Sequence, residues 1–399
     1  MTVISSGPET SSPAGRRKGP IYFDFQATTP LEEKALSAMM PYLTEKFGNP
    51  HSATHRFGWE GKAGVDVARK RIAALINAEP EEITFLSGAT EANNLALKGV
   101  MERAGEGRNR LIVAETEHAC IRETAAYLAT RGVEVTLLPV DESGLVRLDA
   151  LKETLDERVA LVSVMLVNNE IGVIQPLAEI AKLAHAHGAL VHSDMAQAAG
   201  KIPVDVEALG LDLASLSSHK LYGPKGIGAI YVRKQVPIAP QIHGGGQEEG
   251  LRSGTLAPFL CVGFGEAARI AQGQLEADQA HVKALWDQTV DTFRQSGIAF
   301  RINGSVTHRY FGNLNVSFPG VDGARLLADL RGFAVSSGAA CASSVGKTSY
   351  VLEALGVESQ TAQATLRIGF GRATTADDVK EMTDAILKAV RAQTEASWR

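Results

Sequence analysis

Lys220 follows an apolar run at 213–216 through Ser217-Ser218-His219, and Asp194 comes just after a second apolar run at 189–191, with Gln197 three residues further on. Runs of this kind read as buried strands, and open parallel sheets collect ligands at the carboxyl ends of their strands. An amine there can form a Schiff base, while a carboxylate with a nearby amide suits a protonated ring nitrogen and a ring oxygen. Ser87-Gly88-Ala89-Thr90-Glu91 lies between an apolar run at 83–86 and a helical pattern starting near Ala92. Its small residues leave backbone N–H groups and a hydroxyl facing outward at a helix N-terminus, which is a phosphate-binding arrangement. His118, a few residues after the run at 111–113, can stack on a planar group and move protons near neutral pH. Lysine, carboxylate and phosphate cradle are the three things pyridoxal phosphate needs from a protein. Taken singly, each has a plainer job: a surface lysine, an Asp that caps the next helix, a loop histidine. Their convergence at the ends of successive strands favours the cofactor.

Of the three cysteines, Cys341 stands apart. It lies in Ser336-Ser337-Gly338-Ala339-Ala340-Cys341-Ala342-Ser343-Ser344, a stretch small enough to form a mobile loop that presents a thiol. Cys261 sits among Phe259, Leu260 and Val262 and reads as core, and Cys120 falls at a helix start. None forms a C-x-x-C pair, which fits a reducing compartment and excludes the common zinc patterns. His185 and His187 do not share a helix face and have no third ligand, so they are assigned to structure. Gly346-Lys347-Thr348 ends like a phosphate loop, but the required first glycine is Cys341, and Gly105-Glu106-Gly107 has no strand before it.

The elements that must position these residues follow from periodicity. From Ile21 onward, short apolar runs at 83–86, 111–113, 161–165, 189–192 and 213–216 alternate with segments of helical period, the pattern of a mostly parallel sheet flanked by helices. The run 229–233 follows a Gly-Pro-Lys-Gly turn at once and reads as an antiparallel hairpin partner. Near Phe264 the texture changes to a long helix through about Arg294, then strands near Arg301 and at 313–318 and a helical tail. The expected division is an unstructured tail at 1–20, a large α/β domain at 21–265 whose first segment packs on the small domain, and a smaller α/β domain at 266–399 that carries the Cys341 loop. The Ser-, Pro- and Gly-rich tail has too little apolar content to repay ordering; a transit peptide is the alternative, with Glu9 and the lack of an amphipathic pattern against it.

The bulk numbers agree with such a chain. Its 399 residues are 45% hydrophobic, with a net charge of −5 that gives no global attraction to nucleic acid or anionic lipid. No apolar run approaches the roughly 20 residues of a bilayer span, so a cytoplasmic protein is expected.

These segments together resemble the cysteine desulfurases of the Isc and Nif type, within the class V aminotransferase group of fold-type-I pyridoxal-phosphate enzymes. The resemblance runs from Tyr22-Phe23-Asp24-Phe25-Gln26-Ala27-Thr28-Thr29-Pro30 through Ser87-Gly88-Ala89-Thr90-Glu91, Val167-Asn168-Asn169-Glu170-Ile171-Gly172, Ser218-His219-Lys220-Leu221-Tyr222-Gly223-Pro224-Lys225-Gly226 and Arg252-Ser253-Gly254-Thr255 to Cys341. It implies that Lys220 forms the Schiff base, Asp194 pairs with the pyridine nitrogen, Gln197 meets the ring hydroxyl and His118 stacks on the ring. It also implies that Ala89, Thr90, Ser217 and His219 hold the phosphate, and that Asn169 and Arg367 grip the substrate carboxylate. Thr255 resembles the residue that reaches a neighbouring subunit's phosphate, which implies a homodimer. Cys341 would take sulfur from L-cysteine as a persulfide, leave alanine, and pass the sulfur to an acceptor protein for iron–sulfur or other sulfur-cofactor synthesis. No metal site is implied beyond transient contact of Cys341 with a cluster. The resemblance departs at Ala339, where many relatives have Ser, and at Arg399, short of the longer tail that Isc-type enzymes offer their scaffold, which leaves the acceptor open. A selenocysteine lyase or a small-amino-acid aminotransferase would share Lys220 and Asp194, and a non-catalytic relative would share the fold alone.

Overall fold

The computed structural model describes residues 19–337 and 348–395; Cys341, Ala339 and residues 1–18 lie outside them. The sheet read from the apolar runs is there. Seven strands lie in the order Ile83–Leu86, Gly228–Val232, Leu213–Ser217, Leu190–Asp194, Val159–Ser163, Arg110–Ala114 and Glu134–Leu138. The last five are mutually parallel, and Gly228–Val232 runs antiparallel to both of its neighbours, as the short turn before it requires.

Near-continuous apolar strands mean burial on both faces. Alternate residues divide accordingly: Leu111 and Val113 face the helices Ala89–Arg103 and Ala119–Ala129, while Ile112 and Ala114 face the core shared with Arg56–Ile76 and Leu177–Ala186. The strand expected at 161–165 ends at Ser163, because the Met165 amide leaves the ladder to donate to Glu117 Oε1 at 2.5 Å. The helix expected to start near Ala92 begins at Ala89.

A second core is built on a four-stranded antiparallel sheet containing Asn313–Ser317 and Thr365–Gly369, covered by the helix Ala376–Thr394. Phe23 is buried there, because Ile21–Tyr22 pairs with Phe333–Ala334. The 39-residue helix Pro258–Ser296, about 58 Å long at 1.5 Å per residue, runs unbroken through residue 265. Cys261, Phe264 and Ala267 pack in the first core; Val282, Trp286 and Phe293 pack in the second. Proline at its first position and Gly297 in the left-handed region after its last mark both ends.

Candidate active site

The parallel strands deliver their carboxyl ends to one edge of the sheet, and a cleft of about 580 Å³ opens there. Lys220 is reached through a one-turn 3₁₀ segment, Ser218–Lys220, that follows the strand Leu213–Ser217 directly. The next turn is tight: Tyr222 adopts a positive φ of 65°, and a Cβ on Gly223 would meet Ser218 Oγ at 2.1 Å. The Lys220 amine donates to the carbonyls of Gln26 (2.6 Å) and Ala27 (2.7 Å) at the wall of the cleft.

Asp194 ends the adjacent strand. Its Oδ1 accepts from the Ala196 amide at 2.9 Å and its Oδ2 from Asn93 Nδ2 at 2.7 Å, so the carboxylate is held on two sides while still lining the cleft. Gln197, three residues on, donates to the Gln26 carbonyl (2.9 Å) and accepts from Lys201 Nζ (2.6 Å). His118 caps the helix Ala119–Ala129 through its Nδ1 and lines the same cleft.

Ser87, Gly88, Ala89 and Thr90 form one end of the cleft at the N-terminus of the helix Ala89–Arg103. The turn presses on its neighbour: a Cβ on Gly228 would lie 2.5 Å from the Leu216 carbonyl and 2.7 Å from Gly88 Cα. Ser217, His219 and Lys225 complete that end. Burial and then the nearby Lys220, Lys225 and Lys201 charges push the His219 imidazole down to about 4, so it is neutral at pH 7 while Nδ1 meets Thr28 Oγ1 at 3.0 Å. Lysine charge beside free helix N–H groups attracts an anion.

Arg367, on the strand Thr365–Gly369 of the second core, crosses to the cleft and is 3% exposed. Its guanidinium donates to Asp24 Oδ1 (2.8 Å), the Asn169 carbonyl (3.3 Å) and Ser336 Oγ (3.3 Å). Among the described residues its Nε is buried without a partner, a donor left over on a group whose planar fork suits carboxylates. Asn169 lines the cleft beside it. Thr255 is exposed and is not part of the cleft's lining; its loop is tied to the cradle by the ion pair between Arg252 and Glu91 at 2.9 Å.

The donor set fits pyridoxal phosphate: an amine, a fixed carboxylate, an amide, and helix N–H groups beside lysine charge, with the Arg367 guanidinium in the same lining. Three groups escaped sequence reasoning. Asn93, Lys201 and Cys120 look like ordinary helix, surface and helix-start residues, but Asn93 and Lys201 support Asp194 and Gln197, and Cys120 Sγ lies 3.0 Å from His118 Nδ1 and 3.1 Å from Asn93 Nδ2. Lys201 carried one signal, its place in the otherwise apolar Ala198-Ala199-Gly200-Lys201-Ile202-Pro203. Among the described residues no cluster of His, Cys, Asp and Glu could hold a metal ion. His185 pairs instead with Asp212 at 2.8 Å.

Comparison with known proteins gives the same answer. The model of the family described as Aminotransferase class-V matches residues 21–382. A protein of Rickettsia bellii called Cysteine desulfurase IscS is 50% identical over 362 residues, covering 90% of this chain and 88% of that protein. The Rickettsia akari protein of the same name is 48% identical over 373 residues, covering 93% and 91%. Among solved structures, a NifS-like protein superposes with a TM-score of 0.87 at 37% identity, covering 94% of this chain and all of the other. A structure described as SspA in complex with cysteine gives a TM-score of 0.79 at 35% identity over 89% of this chain and all of that one. This chain therefore belongs to the class V aminotransferase family and, within it, to the pyridoxal-phosphate-dependent cysteine desulfurases.

Proposed function

We propose that this enzyme removes sulfur from L-cysteine using Lys220, His118 and Cys341, and hands it on from Cys341. The observation that carries the reading is the single cleft in which the Lys220 amine and the Asp194 carboxylate, from neighbouring strands, share the lining with Arg367 from the second core. Bound pyridoxal phosphate supplies the electron sink for loss of the substrate's α-proton. Asp194 would hold the ring nitrogen, and Gln197 the ring oxygen. Ala89, Thr90, Ser217 and His219 hold the phosphate, while Asn169 and Arg367 orient the substrate carboxylate. His118, in the same lining, would pack against the ring and move protons.

Cys341 thiolate then attacks the substrate sulfur. The S–S bond forms as the Cβ–S bond breaks, the electron pair stays with carbon, Cβ takes a proton, the α carbon regains the one it lost, and alanine leaves. The persulfide on Cys341 goes to an acceptor protein, for iron–sulfur clusters or other sulfur cofactors. We place the enzyme in the cytoplasm, and no helix among the described residues is long and apolar enough to cross a membrane. A homodimer fits the apolar surface of Met40, Leu43, Phe47, Phe57 and Trp59, all more than 45% exposed, with Thr255 reaching the partner's phosphate. Replacing Cys341 by Ala tests the central step: sulfide release from cysteine falls to background while the cofactor stays bound, and release at the parental rate overturns the assignment.

A further inference from the structure

Lys201 is 8% exposed and, among the described residues, has no carboxylate within ion-pairing distance. Its amine donates to Gln197 Oε1 at 2.6 Å and lies 5.7 Å from the centre of the Tyr310 ring. The groups that face it are cationic or neutral: Lys220, Arg367 and His219. A lysine buried at such cost calls for a reason beyond packing, since a buried, unpaired amine favours its neutral form; burial first, then the Lys220 and Arg367 charges, bring this one down to about 7.

The reason lies in what lysine lacks. In its charged form the amine only donates, so only an acceptor can face it, and the neutral form still has hydrogens for the same contact. Gln197 has one end that accepts and one that donates, and its Oε1 meets Lys201. Its Nε2 is thereby turned the other way, where one hydrogen goes to the Gln26 carbonyl at 2.9 Å. That same carbonyl accepts from Lys220 Nζ at 2.6 Å. Lys201, Gln197, the Gln26 carbonyl and Lys220 are thus joined in one line of hydrogen bonds, and Gln26 is itself pinned by its donation to the Gly312 carbonyl at 2.8 Å.

We propose that Lys201 is a positioning residue that fixes the orientation of the Gln197 amide, so that a hydrogen rather than the oxygen of that amide meets the ring oxygen of the cofactor. This rests on the reading that pyridoxal phosphate occupies the cleft with its ring oxygen toward Gln197. The role is specific: a donor held against that oxygen stabilises its ionised form, which opposes a proton on the lysine linked to the cofactor, and that effect passes through Gln197 and is lost without Lys201.

The test is a pH titration of the visible absorption band of the cofactor-loaded protein, without substrate. Lys201→Met keeps the length and removes the donor. Its midpoint is expected to rise by about one pH unit, tenfold in proton affinity, while Lys201→Arg, still donor-only, stays near the parent. Lys201→Gln, which can offer Gln197 either end, falls between and serves if the Met variant does not fold. In a Gln197→Ala background most of the shift caused by Lys201→Met should disappear, as coupled neighbours require. A Lys201→Met midpoint equal to the parent's, or the full shift without Gln197, overturns the proposal. A parent with no visible band refutes instead the cofactor reading on which it rests.

Discussion

Asn93 Nδ2 lies 2.7 Å from Asp194 Oδ2, and the same amide nitrogen lies 3.1 Å from Cys120 Sγ. Asn93 comes from the helix whose N-terminus lines the cleft and Asp194 from the end of a strand, so this hydrogen bond ties those two elements at the cleft. Asn93→Leu would leave a fully buried donor's place empty and one carboxylate oxygen unpaired. Hydrogen bonds to charged groups contribute about 1.5–3 kcal/mol, so cofactor affinity should fall about 10- to 100-fold. Fluorescence titration of the stripped protein with pyridoxal phosphate checks this, and unchanged affinity would show that Asp194 is held without Asn93.

The cradle depends equally on what is missing. Gly228→Ala would put a methyl group 2.5 Å from the Leu216 carbonyl and 2.7 Å from Gly88 Cα, both backbone atoms. Overpacking of this kind costs about 1–3 kcal/mol, and here it displaces the turn that offers N–H groups to phosphate. A lowered urea midpoint together with weaker cofactor binding is expected. Loss of stability with full cofactor affinity would mean that the strain relaxes away from Gly88.

Beneath that turn, Arg69 and Glu248 form a two-pronged ion pair at 2.7 and 2.9 Å, and Glu248 Oε2 also accepts from the Phe85 amide at 2.7 Å. The Glu248 side chain is 2% exposed. Removing one partner of a buried pair costs about 3–5 kcal/mol, so Glu248→Ala should lose that much in urea unfolding. A loss below about 1 kcal/mol, the worth of an exposed pair, would contradict the burial argument.

Glu170 offers a pH test. Burial pushes its carboxyl up to about 7, against the hydrogen bond from the Ser349 hydroxyl (2.5 Å) and the Arg367 and His118 charges, which lower it. An unfolded glutamate titrates near 4.3, so between about pH 4.5 and 7 the folded chain keeps a proton that the unfolded chain has released. Its contribution to stability is full below that window and is lost as pH rises through about 7. Glu170→Gln cannot ionise, so its stability relative to the parent should improve from pH 5 to pH 8 in paired urea titrations. A constant difference would show that Glu170 does not titrate in that range.

The strands and the residues at their ends were legible in the sequence because buried parallel strands are apolar on both faces, and each such run pointed at its own last polar residue: Asp194, Ser217 and, one turn later, Lys220. The supporting groups were not, because support depends on distance across the fold. Lys201 reaches Gln197 from four residues away through a turn that no periodicity announces, and Asn93 meets Asp194 from 101 residues away. The backbone does not break at Phe264; one helix begun at Pro258 carries first-core residues as far as Ala268 and second-core residues from Val282. Ser349 bonds Glu170 from 179 residues away, a contact that nothing local announces.

The most direct test of the account is one tube: the purified protein with L-cysteine and a thiol reductant, its visible spectrum recorded and alanine and sulfide measured together. The account predicts a yellow protein that makes alanine and sulfide in equal amounts, and a Lys220→Ala variant that makes neither. A yellow protein that yields a keto acid instead, or a Lys220→Ala variant with parental turnover, would contradict it.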